Sequence, residues 1–324
     1  MISSLDAGRR WVWRQAVRTR TGRTCARDRS ARVLALALGH VGVAFVLAAL
    51  GPMWLLIAGP VVLGVPHLVA DLRYLIVRNH RLTAAATIGI AAPLAAIAAL
   101  HAMQLAGGRA DALAEVGFGC AAIAIAIGLA AGRRAPVAVL AVGLAVPALA
   151  WPELALLALA HVHNVVAIGI WLWWSQHTVS RAHRLATIST IALATLVLAA
   201  AAGSPPADAA PIVSGLAPGL SDDAGWRLVV VYVFLQSVHY AIWLRLIPSA
   251  HGRPSTFRRS VAMLREDFGA RGVVVVAVVS LAVPLAACVG DPRTARDVYL
   301  SFATFHGWLE LAVIAYLAAG RRRA

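Results

Sequence analysis

Apolar and polar positions in this chain sort into long blocks, with stretches of roughly 20 apolar residues parted by short clusters of Arg, Asp, Pro and Gly. The blocks fall near 33–50, 53–77, 83–105, 113–131, 135–150, 152–174, 184–202, 226–247, 271–289 and 297–319. Each is a candidate to cross a bilayer as a helix, although the fifth is short. The pattern predicts an all-α, polytopic membrane helix bundle of about ten transmembrane helices. Composition agrees, since 60% of the 324 residues are hydrophobic and only 13% are charged.

Arginine placement orients the bundle. Residues 1–32 carry Arg9, Arg10, Arg14, Arg18, Arg20, Arg23, Arg27, Arg29 and Arg32, with no short apolar core and cleavage site of the kind that marks a removable signal. They read as a basic cytoplasmic tail, with Trp11 and Trp13 at the bilayer surface. Alternate loops then hold Arg78 with Arg81, Arg133 with Arg134, Arg181 with Arg184, Arg245 to Arg271, and Arg321 to Arg323, whereas the loops between them are poor in arginine. Cytoplasmic loops concentrate Lys and Arg, so both termini are placed in the cytoplasm, in a multi-pass protein of the cell membrane. The bundle then occupies 33–319, with a Pro-, Gly-, Ser- and Asp-rich extracytoplasmic loop at 203–225 and a basic C-terminal tail at 320–324. Segment 249–270, where Phe257, Val261, Leu264 and Phe268 alternate with Arg258, Arg259 and Arg265, reads as an interfacial amphipathic helix on the cytoplasmic side. The formal net charge of +15 is spread over every cytoplasmic loop, which points to orientation and anionic headgroups and excludes nucleic acid as a partner. Cys25, Cys120 and Cys288 show no paired spacing, so no disulfide framework is expected.

Histidine adds the candidate chemistry. Of eleven, His67, His161 or His163, His239 and His306 lie deep inside apolar blocks, where an ionisable side chain is costly and marks function by default. The second, sixth, eighth and tenth spans run in the same direction, and their histidines sit about 9 to 15 residues below the same edge, roughly 14 to 23 Å at helical rise. They are expected to meet in one layer. The fourth, fifth, seventh and ninth spans hold no histidine and read as an inert wall.

Helical spacing adds partners: Asp71 is four residues after His67, and Glu310 is four after His306. Either carboxylate would accept the outer N–H of a metal-binding imidazole or bind the metal itself. Gln236 and Asn164 give the other two helices polar faces. His161 and His163 point to nearly opposite sides, so one of them enters the site; His161 is favoured because it shares a face with Glu153 and Asn164. His40 and His101 lie near span ends without a carboxylate close by and read as ordinary hydrogen-bonded imidazoles. His80, His177, His183 and His251 sit among arginines at the boundary and read as solvated or headgroup-facing, and Trp171, Trp173 and Trp174 as an interfacial belt.

Imidazoles without cysteine suit non-haem Fe(II) with positions left open for dioxygen as co-substrate. A site reached from the bilayer takes a lipophilic small molecule, carotenoid or lipid-like. The expected metal ligands are His67, His161 or His163, His239 and His306, with Asp71 and Glu310 as the catalytic carboxylates that accept their outer N–H groups. Two other readings remain: a transporter or proton relay lined by Asp71, Glu310, Arg73, Arg245 and the histidines, and a bis-histidine haem protein.

The stretch Gly64-Val-Pro-His67-Leu-Val-Ala-Asp71-Leu-Arg-Tyr-Leu75 resembles the first signature of the Brp/Blh-type membrane β-carotene dioxygenases, over about a dozen residues. His161-Val-His163-Asn, Gln236-Ser-Val-His239-Tyr and Phe305-His306-Gly307 resemble later ligand segments of that family in outline. The resemblance implies a histidine-bound Fe(II) that cleaves the central double bond of β-carotene with dioxygen to give two retinals.

Overall fold

The computed structural model describes residues 2–107, 111–132, 134–252 and 257–320, except for the side chains of residues 2, 3 and 251. Arg109, Arg133 and Arg321 to Arg323, part of the orientation pattern, lie outside the described residues. Thirteen helices follow one another: α1 Ile2–Ala16, α2 Arg20–Arg27, α3 Arg29–Leu50, α4 Pro52–Val77, α5 Ala84–Leu105, α6 Ala112–Leu129, α7 Arg134–Ala150, α8 Pro152–Ser175, α9 Arg181–Ala201, α10 Ala210–Leu216, α11 Asp222–Ala250, α12 Phe257–Val289 and α13 Pro292–Ala319. Among the described residues nine of these are long and apolar enough to cross a membrane, and α7, with 17 residues, is a shorter apolar tenth. The protein is therefore an all-α polytopic bundle. Each of the ten apolar blocks forms a helix because in hydrocarbon the backbone must satisfy its own N–H and C=O groups.

Side-chain caps set the helix starts. Thr83 accepts the Ala86 N–H at 3.1 Å, Asp111 that of Leu113 at 2.9 Å, Ser180 that of His183 at 3.2 Å, and Asp291 those of Arg293 and Thr294 at 3.2 and 3.0 Å. Each takes up an N–H that the first helical turn cannot satisfy internally. The Thr294 and Arg293 hydrogen bonds also hold the Asp291 carboxyl below its usual range.

The chain divides into two compact units, residues 1–59 with 167–281 and residues 60–166 with 282–324. In the first, α3 packs on α9 and α11, and α10 on α11. The basic N-terminal tract folds as two helices, and its buried Asp6 caps α12 by accepting the Phe257 N–H at 2.8 Å. Segment 203–225, expected to be a loop, contains the short helix α10. In α12, Gly269 takes a left-handed φ of 72°, which ends the amphipathic part before the apolar one. His183, expected at headgroups or in water, instead shares a hydrogen bond of 2.7 Å between its Nδ1 and the Ser30 hydroxyl, while Ser30 Oγ accepts the Ser180 N–H at 2.8 Å. His239 is fully buried here on α11, its ring edge-on to Tyr240 with centroids 5.9 Å apart.

In the second unit, α6 packs between α5 and α13, and α7 lies against α6 and α13. Close approach depends on small residues: a Cβ at Gly119 would overlap the Trp308 indole, and one at Gly132 would overlap the backbone at the end of α13. The apolar helix α7 buries none of its residues, leaving Val139, Leu140, Val142, Leu144 and Val146 exposed, as a lipid-facing wall requires.

Candidate metal centre

Helix α4 carries the Gly64-Val-Pro-His67 stretch between two wide turns. Pro66 has no N–H for the carbonyl four residues earlier, and its ring would collide with that carbonyl in a regular helix. The chain answers by opening into a π-helical turn at Gly59–Leu63, and a second one runs over Leu72–Val77. Such turns shift the face of a helix and cluster at functional sites. Between them the α-helical segment Gly64–Asp71 directs His67 and Asp71 inward, 1% and 0% exposed.

Three imidazoles of this unit come together. The rings of His67 and His306 stand edge to face with centroids 4.9 Å apart, and those of His163 and His306 do the same at 5.1 Å. Their hydrogen bonds fix their tautomers. His67 Nδ1 lies 2.7 Å from the Gly64 carbonyl, His163 Nδ1 3.1 Å from the Leu159 carbonyl, and His306 Nδ1 is in contact with the Ala303 carbonyl. A carbonyl can only accept, so each Nδ1 carries the proton and donates it one turn back along its own helix. Each neutral imidazole is left with its lone pair on Nε2, the form that binds a metal.

Asp71 completes the arrangement. Its Oδ2 is 3.6 Å from His67 Nε2, and neither of its oxygens accepts a hydrogen bond from a described residue. One donor atom each from His67, Asp71 and His306 lie within 4.8 Å of one another. Two ligands about 2.1 Å from one ion are at most ~4.2 Å apart and ~3.4 Å apart in a tetrahedron, so small side-chain movements would bring these donors onto one cation. An anionic carboxylate and two imidazole lone pairs facing one another in a dry interior repel unless a cation or a proton lies between them. The donor set therefore fits a metal.

Three sequence expectations change here. His163, buried on α8, stands against His306, whereas His161 is only partly buried, so the preference for His161 was misplaced. The outer N–H groups go to backbone carbonyls upstream and not to the carboxylates four residues downstream: in α4 the segment is regular around His67, and the carbonyl one turn back is already in reach. Asp71 consequently faces the Nε2 side as a candidate ligand, and Glu310 is fully buried one turn beyond His306. His101, expected to lack a carboxylate, has Glu115 Oε2 of the neighbouring helix 2.9 Å from its Nε2.

Tyr299 was not foreseen. Its hydroxyl lies 3.4 Å from His67 Nδ1, its ring fills the space where a Cβ at Gly64 would stand, and it packs with Val65 and Ala303. A single tyrosine in α13 gives no periodic signal that could have marked it. No protein-family model, curated protein or solved structure matches the chain.

Proposed function

We propose that this protein is a membrane-embedded oxygenase that binds a non-haem Fe(II) through histidines and a carboxylate and acts on a long apolar substrate. The observation that carries the reading is the buried group of His67, His306 and Asp71, with both imidazoles committed on Nδ1, one donor from each residue within 4.8 Å of the others, and His67 Nε2 3.6 Å from the carboxylate. Two imidazoles and one carboxylate form the donor set of non-haem Fe(II) oxygenases, which leaves coordination positions open. Bound there, Fe(II) would supply dioxygen activation. His67 and His306 hold the ion through neutral nitrogens, Asp71 offsets its charge, His163 buttresses His306, and the surrounding apolar helices exclude water. The resemblance of Gly64 to Leu75 to the β-carotene dioxygenases supports a carotenoid as the substrate and a pair of retinals as the product, and arginine placement supports cytoplasmic termini in the cell membrane.

A bis-histidine haem fits the geometry poorly. Imidazoles on opposite faces of one iron would have centroids ~6 Å apart, with Fe–N distances of about 2 Å on each side, against 4.9 Å for His67 and His306. No porphyrin plane passes between rings so close and edge to face.

Two measurements test the proposal. Detergent-purified protein is expected to hold about one iron per chain by elemental analysis. Expression in a host that accumulates β-carotene is expected to bleach its orange colour and yield retinal. Metal-free protein with pH-dependent solute uptake in vesicles would replace the enzyme with a transporter.

A further inference from the structure

Tyr299 brings an aromatic hydroxyl to a proposed ligand of the second unit, and its setting explains a glycine. It is 5% exposed, lies in the core cluster with Val65 and Ala303, and has its ring over the backbone of Gly64 at the spot where any larger residue would place Cβ. Gly64 thus has two tasks. Its carbonyl accepts the His67 Nδ1–H at 2.7 Å, and its missing side chain admits the Tyr299 ring, whose hydroxyl oxygen reaches 3.4 Å from the same Nδ1.

We propose that Tyr299 is a positioning residue for His67: phenol oxygen and Gly64 carbonyl flank the Nδ1–H together and fix the rotation of the imidazole, so that Nε2 stays aimed at Asp71. The inference rests on the metal reading for its consequence, though not for its geometry. A helical imidazole tied to its own backbone by one bond can still rock about its ring axis. A second oxygen on the same N–H, attached to a ring that is itself wedged against the helix backbone, removes that freedom. Partners of this kind that orient a ligand from behind tune metal affinity by about 10- to 100-fold.

The test uses full-length protein in detergent with Co(II) as the probe, because its visible absorption reports coordination geometry and competition with a chelator reports affinity. Tyr299→Phe keeps the ring and removes only the oxygen. It is expected to remain monodisperse, to bind one Co(II), and to do so ~10-fold more weakly with an altered visible band. Wild-type affinity and an unchanged band would overturn the proposal. Gly64→Ala is expected to fold poorly, and Gly64→Ala with Tyr299→Ala to regain monodispersity without regaining affinity. Recovery of affinity in that double variant would show that the ring only fills space, and the positioning role would fall. If wild-type protein binds no Co(II), the metal reading fails by itself. Tyr299 is then judged on the His67 ring nitrogens by 15N NMR: a shifted Nδ1 signal in Tyr299→Phe upholds the contact, and an unmoved one removes it.

Discussion

His67 and His101 are both buried histidines of the second unit with a carboxylate nearby, yet their rings are left with different capacities. His101 Nδ1 lies 3.2 Å from Gln104 Oε1 and its Nε2 2.9 Å from Glu115 Oε2, so side chains engage both nitrogens and the pair is complete. His67 gives Nδ1–H to its own backbone, and the Asp71 carboxylate stands 3.6 Å from Nε2, too far for a hydrogen bond and right for a neighbouring ligand. The first arrangement is a fastener between α5 and α6. The second places donors from His67, Asp71 and His306 within 4.8 Å of one another. Burial and a nearby carboxylate do not distinguish them; the gathering of several donor atoms around one point does. His40 makes the point from the other side, because it too sends Nδ1–H to its own helix, at the Leu36 carbonyl 2.7 Å away, yet it is only partly buried and no cluster of metal-binding donors forms around it among the described residues.

The largest effect follows from removing a donor. His67→Ala or His306→Ala is expected to lower bound metal from about one per chain to less than about a tenth, because a buried site short of an imidazole cannot offset the cost of stripping water from the ion. His101→Ala is expected to keep the wild-type amount. Elemental analysis of the three purified variants checks this, and equal losses in all three would erase the contrast. The expectation drawn from the sequence that His239 is a further ligand is checked by His239→Ala in the same assay.

The next effect is on stability. Glu115→Ala strands the His101 Nε2 in an apolar interior and is expected to destabilise the protein by ~1–3 kcal/mol, the cost of an unsatisfied buried polar group. Glu115→Gln keeps an oxygen or N–H opposite the ring and should cost less. Thermal unfolding in detergent reads both, and metal content should stay constant. Replacing both partners by leucine separates the two clusters further. His101→Leu with Glu115→Leu is expected to unfold near the wild-type temperature, since a buried polar pair exchanged for packed apolar groups is often neutral. His67→Leu with Asp71→Leu is also expected to fold, and to bind no metal. A wild-type metal content in the second double variant would end the proposal.

Much of this was legible along the chain, and the reason is physical. Membrane helices must be long and apolar, so the ten blocks and their turn residues mark the bundle directly. The meeting of His67 and His306 was equally visible, because a helix converts residue count into height. What was not legible lies across helices. Glu115 is one of few charged residues inside a span and needed a partner, but i+4 spacing looks only along its own helix, whereas His101 approaches from the neighbouring one. The carbonyl acceptors of the imidazoles leave no mark in the side-chain pattern at all. Tyr299 depends on the packing of α13 against α4, which no spacing within either helix encodes.

The choice between His161 and His163 shows the same limit at its finest, and it yields the smallest expected effect. Two residues apart on α8, they differ by about 200° around the helix, so only one can turn towards His306. Periodicity offered Glu153 and Asn164 as a shared polar face for His161. Asn164, however, is buried and gives its amide to the Ala160 carbonyl at 3.2 Å, and it is the His163 ring that meets His306 at 5.1 Å. His163 is not one of the donors within 4.8 Å of one another, so its loss should loosen His306 without removing a ligand. His163→Ala is therefore expected to weaken Co(II) binding ~10-fold in a chelator competition, as for partners that orient a ligand. His161→Ala is expected to match wild type in the same titration. If His161→Ala weakens binding and His163→Ala does not, α8 presents its other face to the centre, and the edge-to-face pair with His306 has no part in holding metal.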